Sequence, residues 1–129
     1  MTLEEYVHQT LRDDATIRTL TGKGTPFYGV YMEFPEVIPD PPYITHQNIG
    51  ESEDINFPKG MRGYAFTIWG DTRETIKNRI KAIFHEESKC LTDYKVIRIV
   101  YDHSGPDLYD DQVKSYFITV YFNYTWIQN

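Results

Sequence analysis

The chain has 129 residues and a formal net charge of −6. That length is typical of a single domain with one core. The net acidity disfavours a nucleic-acid reader, because tight binding to a phosphate backbone depends on Lys and Arg, although a protein that merely surrounds DNA remains compatible with it. The only cysteine, Cys90, excludes an internal disulfide framework and is typical of a reducing compartment. No apolar run approaches the ~18 residues needed to span a bilayer, and the acidic N-terminus does not fit a signal peptide, so we expect no membrane contact.

Two helical segments open the chain. Thr2 and Glu5 have the spacing of a capping box, which predicts that a helix begins immediately after Thr2. Asp13 and Asp14 can restart a helix over Ala15 to Leu20. The glycines and proline of "TGKGTP" then end that helix.

The next third of the chain favours strands. "FYGVYMEF" predicts a short strand, and "YITHQNI" predicts another that begins at Tyr43. Between them, the four prolines of "PEVIPDPP" exclude a helix or a central strand and indicate a stiff, extended surface segment. "GESEDINFPKG", Gly50 to Gly60, is acidic and bounded by glycines, which predicts a long hairpin loop.

A strand followed directly by a helix is predicted in "RGYAFTIWGDTRETIKNRIKAIFH". Alternation places Tyr64, Phe66 and Ile68 on one face of the strand. Asp71 is the expected N-cap, and the apolar spacing then predicts a helix from about Thr72 to Glu87. The turn "WGDT" has one glycine and a carboxylate where an anion would bind, so its sequence favours a structural role over a phosphate site.

The final third predicts a strand in "YKVIRIVY", a turn in "DHSGPDLYDDQ" and a strand of about twice the usual length from Tyr116 to Trp126. The chain is therefore expected to be one α+β domain, a mainly antiparallel sheet packed against two helices in the order α-β-β-β-α-β-β. Its predicted core consists of Phe66, Ile80, Phe84, Ile118, Val120 and Phe122.

No pattern indicates catalysis. "TGKGTP" lacks the upstream glycine, the order Gly-Lys-Ser/Thr and the downstream helix of a phosphate-binding loop. The four histidines, His8, His46, His85 and His103, do not have the spacing of a metal site. We therefore predict no catalytic, cofactor-binding or metal-ligating residue, and no cofactor.

The predicted helix after "WGDT" has a patterned surface. Arg73, Lys77 and Lys81 form a basic row at i, i+4 and i+8 beside the apolar stripe. The face opposite the stripe carries small or uncharged side chains. A solvated helix explains this pattern, and so does a protein contact in which the basic row meets an acidic loop. On the second interpretation the subunit or partner interface comprises Glu51, Glu53, Asp54, Arg73, Thr75, Lys77, Asn78, Lys81, Ala82 and His85.

Four segments together resemble one known family. They are the opening "TLEEYVHQTLRDDATIRTL", the strand "PPYITHQNIGE", the strand and helix "GYAFTIWGDTRETIKNRIKAIFH" and the ending "DHSGPDLYDDQVKSYFITVYFNYTW". In order and spacing they resemble the tail-completion, or tail-to-head joining, proteins of long-tailed bacteriophages, relatives of the lambda-type tail terminators.

The resemblance implies a structural virion protein and not an enzyme. It implies a ring, usually a hexamer, that is assembled in the host cytoplasm and caps the tail tube at the head-proximal end of the tail. Its expected partners are its own copies, the tail tube protein and the head connector or stopper protein, with DNA passing through without specific binding. A small enzyme with an unrecognised site and a monomeric protein-binding module remain alternatives.

Overall fold

The computed structural model describes residues 1–24, 27–53, 59–92 and 94–128; the side chains of 50–53, 59 and 60 are not described. Helix α1 spans Leu3–Asp13, α2 spans Ala15–Thr21 and α3 spans Arg73–Phe84. The capping box of Thr2 and Glu5 is confirmed, and Asp14 caps α2 by accepting a hydrogen bond from the Ile17 amide at 2.9 Å. Within the described ranges, no helix is long and apolar enough to cross a membrane.

A seven-stranded, mostly antiparallel sheet carries these helices on one side. The strands are β1 Val30–Tyr31, β2 Tyr43–Glu53, β3 Lys59–Trp69, β4 Lys89–Cys90, β5 Tyr94–Ser104, β6 Leu108–Asp110 and β7 Ser115–Gln128. Their order is β1-β2-β3-β7-β5-β4, and β6 pairs with the start of β7. Among the strands of the described ranges, only β1 and β2 run parallel, so the predicted α+β class is confirmed, with three helices in those ranges.

The helix-covered side of the sheet, here called the core face, forms the main core. Strand pairing sets Tyr64 opposite Phe122, Phe66 opposite Val120 and Ile68 opposite Ile118 on this face. The apolar stripes of all three helices pack against it. All six residues predicted for the core are at most 4% exposed and belong to this one cluster: Phe66, Ile80, Phe84, Ile118, Val120 and Phe122.

The start of α3 differs from the prediction. Asp71 is not the N-cap: α3 begins at Arg73, and Thr72 occupies the cap position without a side-chain capping bond. The hydroxyl of Thr72 instead donates to the carbonyl of Leu20 at the end of α2, 3.3 Å away. A contact between helices therefore replaces the local cap that the sequence favours.

The end of α3 also differs, because the helix stops at Phe84 and not near Glu87. Glu86 takes a positive φ of 69°, and its amide donates to the carbonyl of Ile99 in β5. The Ile99 amide in turn donates to the carbonyl of Glu87 at 2.9 Å. These backbone bonds to β5 compete with the last helical turn and lead into β4, which the sequence did not predict.

The predicted turn from Asp102 to Gln112 contains strand structure. β5 continues to Ser104, and Leu108–Asp110 form β6 opposite residues 115–117 of β7. The Asp110 carboxylate accepts hydrogen bonds from the amides of Gln112 and Val113, which closes the tight hairpin. The predicted loop Gly50 to Gly60 is likewise shorter than expected, because β2 extends to Glu53 and β3 starts at Lys59. Residues 54–58 lie outside the described ranges.

Candidate functional site

A buried polar chain joins α1 to the sheet. Nδ1 of His8 lies 3.1 Å from Nε2 of His46, whose Nδ1 lies 2.7 Å from the Tyr64 hydroxyl. His46 is 1% exposed, and its burial lowers its pKa to about 3, with the charge of a protonated His8 as the second cause. Burial also lowers the pKa of His8, and the nearby Arg12 adds to this effect. Two imidazoles whose ring nitrogens face each other can share one proton but cannot both carry a proton on the facing nitrogens.

A second polar chain runs beside the first. The Tyr124 hydroxyl donates to Oδ1 of Asn48 at 2.7 Å, and Nδ2 of Asn48 donates to the Glu4 carboxylate at 2.9 Å. Burial raises the pKa of Tyr124 to about 12. Both ring nitrogens of His46 and both amide atoms of Asn48 have partners within the fold. The two chains thus hold α1 in place and do not offer these groups to a substrate.

Sequence reasoning missed this network because it considered metal spacing alone. His8 follows Val7 on the buried side of α1, and His46 shares the alternation of Ile44 on the core face of β2. These positions were the available signal that both histidines face the core, although they do not show that the two meet. Among the described residues, no three His, Cys, Asp or Glu side chains gather in a group that could hold a metal ion.

The junction between β3 and α3 depends on Gly70. This residue has a φ of +112°, and a Cβ there would lie 2.9 Å from Cα and Cβ of Pro42. The close approach of Pro42 therefore requires glycine. Asp71 is exposed at an open surface groove of about 400 Å³ that Pro42 and Tyr116 help to line.

The outer face of α3 is exposed at Thr75, Asn78, Ala82 and His85, which are four of the residues predicted for the interface. Nδ1 of His85 accepts a hydrogen bond from the Tyr101 amide at 3.0 Å. Thr75, Asn78 and Ala82 lie on the same exposed face, and burial does not explain why their side chains are small or uncharged.

The basic row beside this face is engaged within the chain. Arg73 pairs with Asp107 at 2.9 Å, and this bond raises the pKa of Arg73. Lys77 pairs with Glu74 at 2.7 Å, and the Lys81 ammonium lies 4.0 Å from the centre of the Tyr101 ring. The acidic side of the predicted interface falls at the end of the β2–β3 hairpin. The side chains of Glu51 and Glu53 are not described, and Asp54 lies outside the described ranges.

The side of the sheet away from the helices, here called the open face, has a different character. Strand pairing sets His103, Tyr121, Ala65 and Gln47 in one row, and Thr119, Thr67 and Thr45 in the next. The rings of His103 and Tyr121 stack with centres 4.6 Å apart. Near the start of β7 this face carries a small aromatic cluster, in which Tyr43, Trp69 and Phe117 pack with Val113 and Tyr31.

The proline-rich segment Met32–Pro42, here called the acidic arm, lies at that aromatic end. The Phe34 ring meets the Trp69 ring edge-on, with centres 5.9 Å apart. Its carboxylates, Glu33, Glu36 and Asp40, are exposed, and so are Met32, Phe34, Val37 and Ile38. Val37 is 84% exposed. No Lys or Arg occurs between Phe27 and Thr45, so the arm is uniformly negative.

The opposite end of the open face, here called the basic end, carries Lys95 and Arg98 among exposed apolar side chains. Pairing places Cys90 beside Lys95 and Lys95 beside Ile127, while Arg98 and Met61 flank Thr125. Met61, Cys90, Lys95, Ile97, Arg98 and Ile127 are all exposed. Arg98 also pairs with Glu86 at 2.8 Å.

Comparisons with known proteins extend along almost the whole chain. The solved structure of the virion of a native gene transfer agent particle contains a chain of similar fold, with a TM-score of 0.71 and 15% identity over 98% of this chain and 95% of that one. A second solved chain of similar fold has a TM-score of 0.57 and 9% identity over 98% of this chain and 94% of that one. No protein-family model and no curated protein matches the sequence.

Proposed function

We propose that this chain is a structural protein of a phage-like particle, which forms a ring that completes the tail tube and joins it to the head connector. The observation that carries the proposal is the nearly full-length similarity in fold to a chain of a gene transfer agent virion. The order and spacing of the four sequence segments support the finer assignment to the tail-completion proteins. In this role the chain has no catalytic activity and belongs to the head-proximal end of the tail.

The hydrogen bonds between α1 and the core face support a structural role. One hydrogen-bonded chain joins His8 of α1 to His46 and Tyr64, and a second joins Glu4 of α1 to Asn48 and Tyr124, so both fix α1 on the sheet. A ring subunit needs a rigid body, since a closed ring forms only when the rotation between copies is constant. The hydrogen-bonded core therefore suits a ring subunit, and it leaves the open face and the outer face of α3 available for contacts.

Two surfaces are proposed for these contacts. The outer face of α3, with its basic row, is proposed to meet a neighbouring copy or the tail tube or head connector protein. The acidic hairpin end at Glu51, Glu53 and Asp54 is its proposed counterpart. Exposed ion pairs contribute only about 0–1 kcal/mol each, so apolar burial must supply most of the strength of either contact.

Electron microscopy of the purified full-length protein tests the proposal, together with native mass spectrometry over a range of concentrations. The expected result is a closed ring, with six copies as the expected number. A stable monomer at millimolar concentration that does not bind tail tubes would contradict the proposal and favour a monomeric binding module. Turnover of a substrate would favour the enzyme alternative.

A further inference from the structure

The acidic arm presents carboxylates and the basic end presents two cations, one of which, Arg98, also pairs with Glu86; both surfaces expose apolar side chains. The acidic arm has three carboxylates interleaved with Met32, Phe34, Val37 and Ile38, all of them exposed. The basic end presents Lys95 and Arg98 among Met61, Ile97 and Ile127. Complementary charge together with apolar area is the composition expected of two surfaces that bind each other.

These two surfaces cannot meet within one copy. Trp69, which contacts Phe34, pairs with Phe117, whereas Ile127 at the basic end lies ten residues further along β7. Ten residues of a strand span about 33 Å. The arm is also fixed at its other end, because Pro42 packs against Gly70 beside Trp69. Both ends of the arm thus stay at the aromatic end of the sheet.

We propose that the acidic arm of one copy binds the basic end of the next copy, in a head-to-tail contact that repeats around the ring. The occupant of the basic end is therefore a second copy of this chain. Because the two surfaces differ, the contact is heterologous, which is the type that generates rings when the rotation closes. The proline-rich sequence of the arm favours such binding, since a stiff extended segment loses little conformational entropy on docking. This inference rests on the proposed function and adds to it a contact between copies that is separate from the proposed contact of the outer face of α3.

Cys90 provides the test, because it is exposed and lies next to Lys95 at the basic end. A Val37→Cys variant then carries one thiol on each side of the proposed contact. After mild oxidation, a non-reducing gel should show a ladder of products that extends beyond dimers to the size of the ring. In the double variant Val37→Cys, Cys90→Ser the ladder should shrink to dimers at most.

A matched control separates this contact from random collision. Asp13 has a side chain that is 78% exposed at the end of α1, which packs on the core face and not on the open face. An Asp13→Cys variant, which also keeps Cys90, should give no ladder. Equal ladders from both variants would overturn the inference.

A charge exchange gives an independent measurement. Lys95→Glu alone and Glu36→Lys alone should each weaken association by roughly two- to fivefold, which is the range for an exposed pair, and the double variant should recover most of the loss.

If native mass spectrometry shows rings while Val37→Cys gives no ladder, the inference is wrong and the proposed function stands. If the native chain is a monomer at every concentration and gives no ladder, ring formation by this chain alone is wrong as well.

Discussion

On the core face, the sheet presents Tyr64, Phe66 and Phe122 to three helices, whereas on the open face the same strands carry partly exposed polar side chains such as Thr67 and Tyr121. The alternation of each strand separates the two faces residue by residue. Folding explains the core face, because each of its large side chains has a partner within the chain. At the ends of the open face Phe34 contacts Trp69 and Arg98 pairs with Glu86, but folding does not explain why Val37, Ile97 and Ile127 are exposed beside charged residues.

The largest expected effect comes from the core face. Phe84 is 1% exposed, and its ring stacks on Phe66 with centres 5.5 Å apart. Phe84→Ala should lower the free energy of unfolding by about 3–5 kcal/mol, because it leaves a cavity in the main cluster. Urea denaturation measures this value. Met61→Ala is the control on the open face, since Met61 pairs with Thr125 there and is 52% exposed, and it should cost about 1 kcal/mol or less. Similar losses for both variants would contradict the division between the faces.

The second largest effect is expected at low pH, which should weaken the attachment of α1 to the sheet. The pKa of His46 falls from 6.5 to about 3 on folding, so between these values the unfolded chain binds more protons than the folded one. Stability is therefore full above pH 6.5 and declines as the pH falls, by about 1.4 kcal/mol per pH unit for this histidine. Between pH 6.5 and 5 the loss should be about 2 kcal/mol.

The measurement is the urea midpoint at several pH values between 7.5 and 5, a range in which carboxylates contribute little. His46→Gln should be less stable at pH 7.5, because it breaks the chain from His8 to Tyr64, but its stability should change less with pH. A His46→Gln variant with the same pH dependence as the native chain would show that other groups cause it.

A smaller effect is expected where α2 and α3 meet. Asp14 caps α2, and it also accepts two hydrogen bonds from Arg79 of α3, at 2.6 and 3.1 Å. The bonds from Arg79 hold the pKa of Asp14 below its usual value. Asp14→Ala should cost about 1–2 kcal/mol through the lost cap and the lost ion pair. Asp13→Ala, one residue earlier and largely exposed, should change stability by less than about 0.5 kcal/mol in the same denaturation experiment.

The sequence predicted those parts of the fold whose signal is local. Alternation in β3 and β7 and the apolar spacing of α3 identified all six core residues. The sequence did not predict β4 and β6. These strands have only two and three residues, and they are defined by their pairing with β5 and β7, respectively. A helical wheel likewise placed Arg73 on a surface but could not reveal its partner Asp107, which lies 34 residues further on. The meeting of His8 and His46 depends on packing of α1 against β2, which no local pattern specifies.

The smallest expected effect on folding concerns the outer face of α3. Thr75 and Asn78 are exposed there, and both have a lower helix propensity than Ala. If this face meets only solvent, the double variant Thr75→Ala, Asn78→Ala should be slightly more stable, by roughly 0.5–1 kcal/mol, and should assemble like the native chain. If the face meets a copy or a partner, the same gain in stability should accompany weaker ring formation or weaker binding to tail tubes. Urea denaturation and native mass spectrometry, applied to one preparation, separate the two outcomes. A loss of stability above about 1 kcal/mol would contradict both, because it would require a contact within the fold at this face.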